Sequence, residues 1–201
     1  MTISISKKQF FIGAGVLFIL VLSSLFFLNN QNKAKVENYK ASAKEMKINS
    51  MAASYICLVI LKDYHDTWSS AISHYGNEDA MIKERYNYYK NKGVLDKVEK
   101  FMTVSKSDME KMYNAPFDFE KTQHVLDGLY NDMNTCYGLV KNPSGSLNSF
   151  ASKIVELLNN VENKNKETNI QIPISSSDIR NKINELTPLI GEIGYSDRFG
   201  E

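Results

Sequence analysis

The chain has 201 residues, enough for one domain and a short appendage. Its 24 basic side chains stand against 23 acidic ones without a basic patch, which argues against a nucleic-acid partner. Two distant cysteines, Cys57 and Cys136, make neither a disulfide scaffold nor a zinc ribbon.

The first element in chain order is also the most informative. Residues 10–28, FFIGAGVLFILVLSSLFFL, hold no charge and only two hydroxyls, Ser23 and Ser24. As a helix this run rises about 28 Å, the thickness of a bilayer's hydrocarbon core. A cleavable signal peptide would have a shorter apolar region and a small-x-small cleavage site. Here the run ends in Phe26, Phe27 and Leu28, and Ala41-Ser42-Ala43 lies too far downstream, so the sequence favours an uncleaved anchor. Lys7 and Lys8 precede the run, and the first lysine after it is Lys33, which places the N-terminus inside the cell and the rest outside the cytoplasm. Two of the 24 basic residues precede the run, so the remainder carries 22 against 23 acidic ones and is near neutral.

Residues 33–75 contain no proline or glycine and read as one long helix. Its seam runs through Tyr39, Ala43, Met46, Ser50, Ala53, Cys57, Leu61, Tyr64, Trp68, Ala71 and Tyr75. Between 51 and 61 only Ser54 is strongly polar, so this section should be buried on several sides. The more charged part, 33–47, reads as a stalk continuing the anchor. Asn77 can cap the next helix, with Glu78 and Asp79 in its first turn and Gly93 after its last. Residues 94–102 read as a short helix. Ser107 with Glu110 forms a capping-box pattern that would start another, and Asn114-Ala115-Pro116 breaks the chain.

Asp118 should cap a helix over 119–141 with its seam at Phe119, Thr122, Leu126, Leu129, Met133, Cys136 and Val140. After the turn Asn142-Pro143-Ser144-Gly145, Ser146 opens a helix with Leu147, Phe150, Ile154, Leu157 and Val161 on one face. The polar stretch 162–169 should fray. Ile170, Ile172 and Ile174 alternate with other residues in an extended pattern too short for a sheet. Ser175 to Asp178 then starts a short helix, and 195–201 reads as a loose tail.

The expected fold is all-α: an N-terminal transmembrane helix, then an antiparallel helical bundle of about four helices with a short C-terminal helix. The expected divisions are a cytoplasmic N-terminus over 1–9, the anchor over 10–28, the stalk over 29–47, the bundle over 48–166 and a C-terminal extension over 167–201.

No GxSxG, HExxH, P-loop or GxGxxG motif is present, and nothing calls for a cofactor or a metal. The sequence DYHD around His65 invites an acid–base or metal reading. On a helix, however, His65 has Leu61 and Ser69 at its fourth positions and points away from Asp63 and Asp66. Cys57 and Cys136 both fall on core seams, where they are either buried thiols or, in an oxidising periplasm, a disulfide.

Two functions follow. The first is a membrane-anchored binding or interaction module outside the cytoplasm, without catalytic chemistry, whose partner is an envelope protein or another envelope component. Its candidate surface is the second helix, where burying Ile82, Tyr86 and Tyr89 leaves Arg85 and Tyr88 exposed, residue types favoured at binding hot spots. The alternative is an enzyme whose site is assembled from scattered residues around His65, with Asp63, Glu120 and His124 as first suspects. That reading requires two of these groups to converge in a cleft.

Overall fold

The structure is a computed structural model that describes residues 7–74 and 76–185; within 7–28, side chains are described only at Ser23 and Phe27. The described residues form six α-helices and one 3-10 turn, with no strand among them. They are α1 (Lys7–Ser73), α2 (Glu78–Asn91), α3 (Val94–Lys111), the turn Phe117–Phe119, α4 (Glu120–Lys141), α5 (Leu147–Thr168) and α6 (Ser176–Asn184). The all-helical class and the bundle therefore stand as expected. The chain divides into two compact units, Met1–Lys40 and Ala41–Glu201.

Among the described residues no helix is long and apolar enough to cross a membrane, so the span expected over 10–28 has no support from them. Most side chains of that stretch lie outside the described residues. Tyr75, the end of the expected long helix, and the tail over 195–201 lie outside them as well.

Within Ala41–Glu201, α1 is the central helix. Every residue of 46–54 is buried, and only Tyr55 and Val59 are half-buried between 55 and 61. A bundle helix normally buries one stripe, so the other helices must line α1 on all sides here. They do so antiparallel or parallel in turn. Trp68 near the end of α1 meets Phe150 near the start of α5, while Lys47 reaches the end of α5, so the two helices run antiparallel. The broken pair α2–α3 also descends along α1, with the Trp68 indole donating to Glu78 at 2.7 Å and Ser50 bonding Ser105 at 3.1 Å. The helices α4 and α5 also pack against one another. There the stem of Lys164 lies against Gly128 and its ammonium pairs with Asp132 at 2.5 Å.

Local chemistry sets the helix ends. The Asn77 side chain accepts from the Ala80 N–H at 3.1 Å and opens α2. Gly93 adopts φ +71°, the left-handed conformation that turns the chain between α2 and α3. Reciprocal capping boxes open α5, through Ser146 and Ser149, and α6, through Ser175 and Asp178.

Four local expectations are corrected. The helix expected to stop at 102 continues to Lys111, because Ser105 and Asp108 are buried and Phe101 packs inward. Ser107 and Glu110 thus lie inside a helix and not at its start. Asp118 does not cap α4; it sits in the 3-10 turn, where Phe119 N–H bonds the Pro116 carbonyl at 2.7 Å. Residues 162–168 do not fray, since Thr168 is buried with its hydroxyl on the Lys164 carbonyl at 2.7 Å. The isoleucine alternation is a turn after α5 that buries Ile172 and Ile174 and exposes Ile170.

Candidate functional site

The polar cluster with the most converging groups lies between α1 and α2. Ile82 and Tyr89, seven residues apart, form the buried stripe of α2. Arg85 lies between them in the helical cycle, so its guanidinium is carried to the edge of that stripe and over α1. There Asp63 receives it. Arg85 Nε donates to Asp63 Oδ2 at 2.6 Å, and the Tyr89 hydroxyl donates to the same oxygen at 2.9 Å. The hydrogen bond to Asp63 raises the Arg85 pKa further. Burial, then the Asp63 charge, pushes the Tyr89 hydroxyl well above its ordinary range, so it stays a donor.

The aromatic part is built on the same helix. Tyr88 and Tyr89 meet edge to face, with ring centres 5.4 Å apart. The Arg85 guanidinium carbon sits 5.1 Å from the Tyr88 ring centre, and the Lys92 ammonium lies 5.8 Å from it. Tyr88 therefore carries two cations on its ring while remaining half-buried. Beneath it, Tyr64 packs against Tyr89 at 6.4 Å. The arrangement can present a fixed aromatic ring flanked by two positive charges. Both donors to the Asp63 carboxylate fall on its Oδ2.

Arg85 and Tyr88 are thus brought together as the sequence suggested, but they are less free than expected. The Arg85 side chain is 36% exposed and belongs to an ion pair, because a carboxylate on α1 faces it. Asp63 carries this cluster, yet its part was invisible in the sequence. Which face of α1 meets α2 depends on tertiary pairing, and no local pattern encodes it.

The suspects for an enzymatic site stay apart. Contrary to expectation, His65 turns toward Asp66, its Nδ1 lying 3.3 Å from Asp66 Oδ1, and Lys62 pairs with the same carboxylate at 2.7 Å. Glu120 and His124 are exposed on the first turns of α4. Thr122 between them bonds Gln171, in the turn that Lys47 holds, and Lys47 lies sixteen residues back along α1 from Asp63, about 24 Å of helix. His74 bonds its own helix at the Ser70 carbonyl. Among the described residues no three His, Cys, Asp or Glu side chains gather as a metal site.

Cys57 and Cys136 are both free and buried. Burial, then the neighbouring Cys136, pushes the Cys57 thiol well up, and burial raises Cys136 to about 12. Both thiols are therefore held protonated and unreactive in the fold.

Lys47 departs from the charged stalk expected over 29–47. It is fully buried, and its ammonium donates to the Asn165 carbonyl at 3.2 Å, Asn169 Oδ1 at 2.9 Å and the Ile172 carbonyl at 3.0 Å. Three N–H donors meet three oxygens at the negative end of α5. In the sequence Lys47 does not stand out from its neighbours Lys44, Glu45, Asn49 and Ser50.

No protein-family model, curated protein or solved structure matches this chain.

Proposed function

We propose that this chain is a membrane-anchored helical bundle, carried outside the cytoplasm, that acts by binding an envelope protein or another envelope component and performs no catalysis. The uncharged run over 10–28 and the lysines before it support the anchor and its orientation. The observation that carries the binding reading is the Arg85–Tyr88 pair. An arginine pinned by Asp63 and a tyrosine pinned by Tyr89 lose little side-chain freedom when a partner docks, which is what a preorganised binding surface requires.

Topology is tested by a reporter fused after Glu201, which should be active only outside the cytoplasm, and by carbonate extraction, which should leave the protein in the membrane. A cytoplasmic reporter signal overturns the orientation, and release into the soluble fraction overturns the uncleaved anchor. The surface is tested by a photo-crosslinking side chain at Tyr88 in intact membranes, with exposed Lys106 as control. A discrete adduct at position 88, absent at 106 and lost when Arg85→Lys is added, is the expected result. Lysine keeps a charge near Asp63, so that variant should fold. No adduct, or the same adduct at both positions, rejects this face.

A further inference from the structure

Arg85, Tyr88 and Lys92 stand at i, i+3 and i+7 along α2 and its C-cap, one row on one side of the helix. Each keeps unused binding capacity. Arg85 commits its Nε donor to Asp63, and its Nη groups have no hydrogen-bond partner among the described residues. The Tyr88 hydroxyl has none there either. The Lys92 ammonium lies over the Tyr88 ring, and no described carboxylate comes within ion-pair distance of it, neither Glu84 before Tyr88 nor Asp96 at the start of α3.

Other exposed lysines, Lys83, Lys90 and Lys166 among them, also lack an ion pair. Lys92 is set apart by its place. Its ammonium is 5.8 Å and the Arg85 guanidinium carbon 5.1 Å from the centre of the same ring, whereas Lys83 and Lys90 lie about half a turn round α2 from it. The positive excess is small, because Asp63 offsets Arg85 and Glu84 is exposed beside the row. A polymer charged at every repeat would meet too few cations here. A peptide with two carboxylates matches them. The flat Nη edge of a guanidinium suits one carboxylate and an ammonium the other, with an apolar side chain against Tyr88 between them. Seven positions of helix rise about 10.5 Å, and three residues of extended chain span about 10 Å.

We propose that Arg85, Tyr88 and Lys92 bind an acidic peptide segment of another protein, with two carboxylates three positions apart in an extended chain, one on Arg85 and one on Lys92. The inference rests on the binding reading proposed above and names the chemistry of the partner. Lys92 thereby joins Arg85 and Tyr88 as a contact residue. Both cations are reached by solvent, so the contact should weaken as salt is raised.

The test treats intact membranes carrying the full chain with a water-soluble carbodiimide. The reagent activates a carboxyl as an O-acylisourea. Lys92 Nζ then attacks the acyl carbon, a C–N bond replaces the C–O bond, and the urea leaves with the amine's proton. The expected result is an amide between Lys92 and an Asp or Glu of another protein, read by mass spectrometry. Lys92→Arg should abolish that link yet keep the photo-adduct at position 88, since the charge remains, and Lys83→Arg should change neither. Lys92→Glu should weaken the photo-adduct several-fold at an unchanged melting temperature, because position 92 is exposed. A photo-adduct at 88 that persists in Lys92→Glu, or that occurs with no amide at Lys92, overturns the acidic partner and leaves the surface standing. An amide to a second copy of this chain, or one formed equally at Lys83, also overturns it. No photo-adduct at 88 overturns the binding reading, and this inference with it.

Discussion

Lys47 shows how one residue can set a protein's response to pH. Burial lowers its ammonium pKa to about 8, from an ordinary value of 10.5 in the unfolded chain. The folded state thus disfavours the charged form. The penalty is complete below about pH 8 and fades as pH rises toward 10.5, so this group makes the protein more stable with rising pH over that window. Between pH 7 and 9 the gain is about 1 kcal/mol. Lys47→Met should abolish it, and urea melts of both proteins at pH 7, 8 and 9 measure the difference directly. Above pH 9 the opposite trend takes over. The cysteines and Tyr64, Tyr89 and Tyr137 all have raised pKa values in the fold, so the unfolded chain sheds those protons first. Parallel slopes for the two proteins between pH 7 and 9 would show that Lys47 is not desolvated in solution.

At the scale of elements, two glycines should respond to alanine with opposite sign. Gly93 joins α2 to α3 at φ +71°, and an added Cβ there meets no atom within 4 Å. The cost of Gly93→Ala is therefore purely one of backbone conformation, about 1–2 kcal/mol. Gly138 lies within α4 with equally open space. There alanine has only its helix propensity to express, and Gly138→Ala should stabilise by about 0.5–1 kcal/mol. Thermal melts of the two variants should move in opposite directions. The same contrast explains what was legible in the sequence. Gly93, Asn77, Ser146 and Ser175 announce helix boundaries because each acts on its own backbone. Ser107–Glu110 imitates such a signal but lies inside α3, where the buried Ser105 and Asp108 keep the helix going. Thr168 likewise holds the last turn of α5 in a stretch that is polar in sequence. Asp63 and Lys47, the two residues that organise the polar clusters, were illegible because their partners lie 22 to 125 residues away.

At the largest scale, the described part of the unit Ala41–Glu201 is organised around the enclosed section of α1, and its stability should reside in the helices that enclose it. Leu126 on α4 and Leu157 on α5 are at most 1% exposed. Each alanine substitution should cost about 2–5 kcal/mol, with the far-ultraviolet signal remaining helical. Variants that melt like the parent would show that α4 and α5 do not build the core. The enclosure also has a consequence for synthesis. The central helix leaves the ribosome before any of the helices that surround it, and the oxygens that receive Lys47 follow it by 118 to 125 positions. A nascent chain cannot complete its core in order from the N-terminus; it must wait until the turn after α5 has emerged. Through that interval the apolar surface of 51–61 has no permanent cover. This protein should accordingly lean on a chaperone while it is made, and a chain halted before Asn165 should be cleared rather than accumulate as a smaller folded bundle.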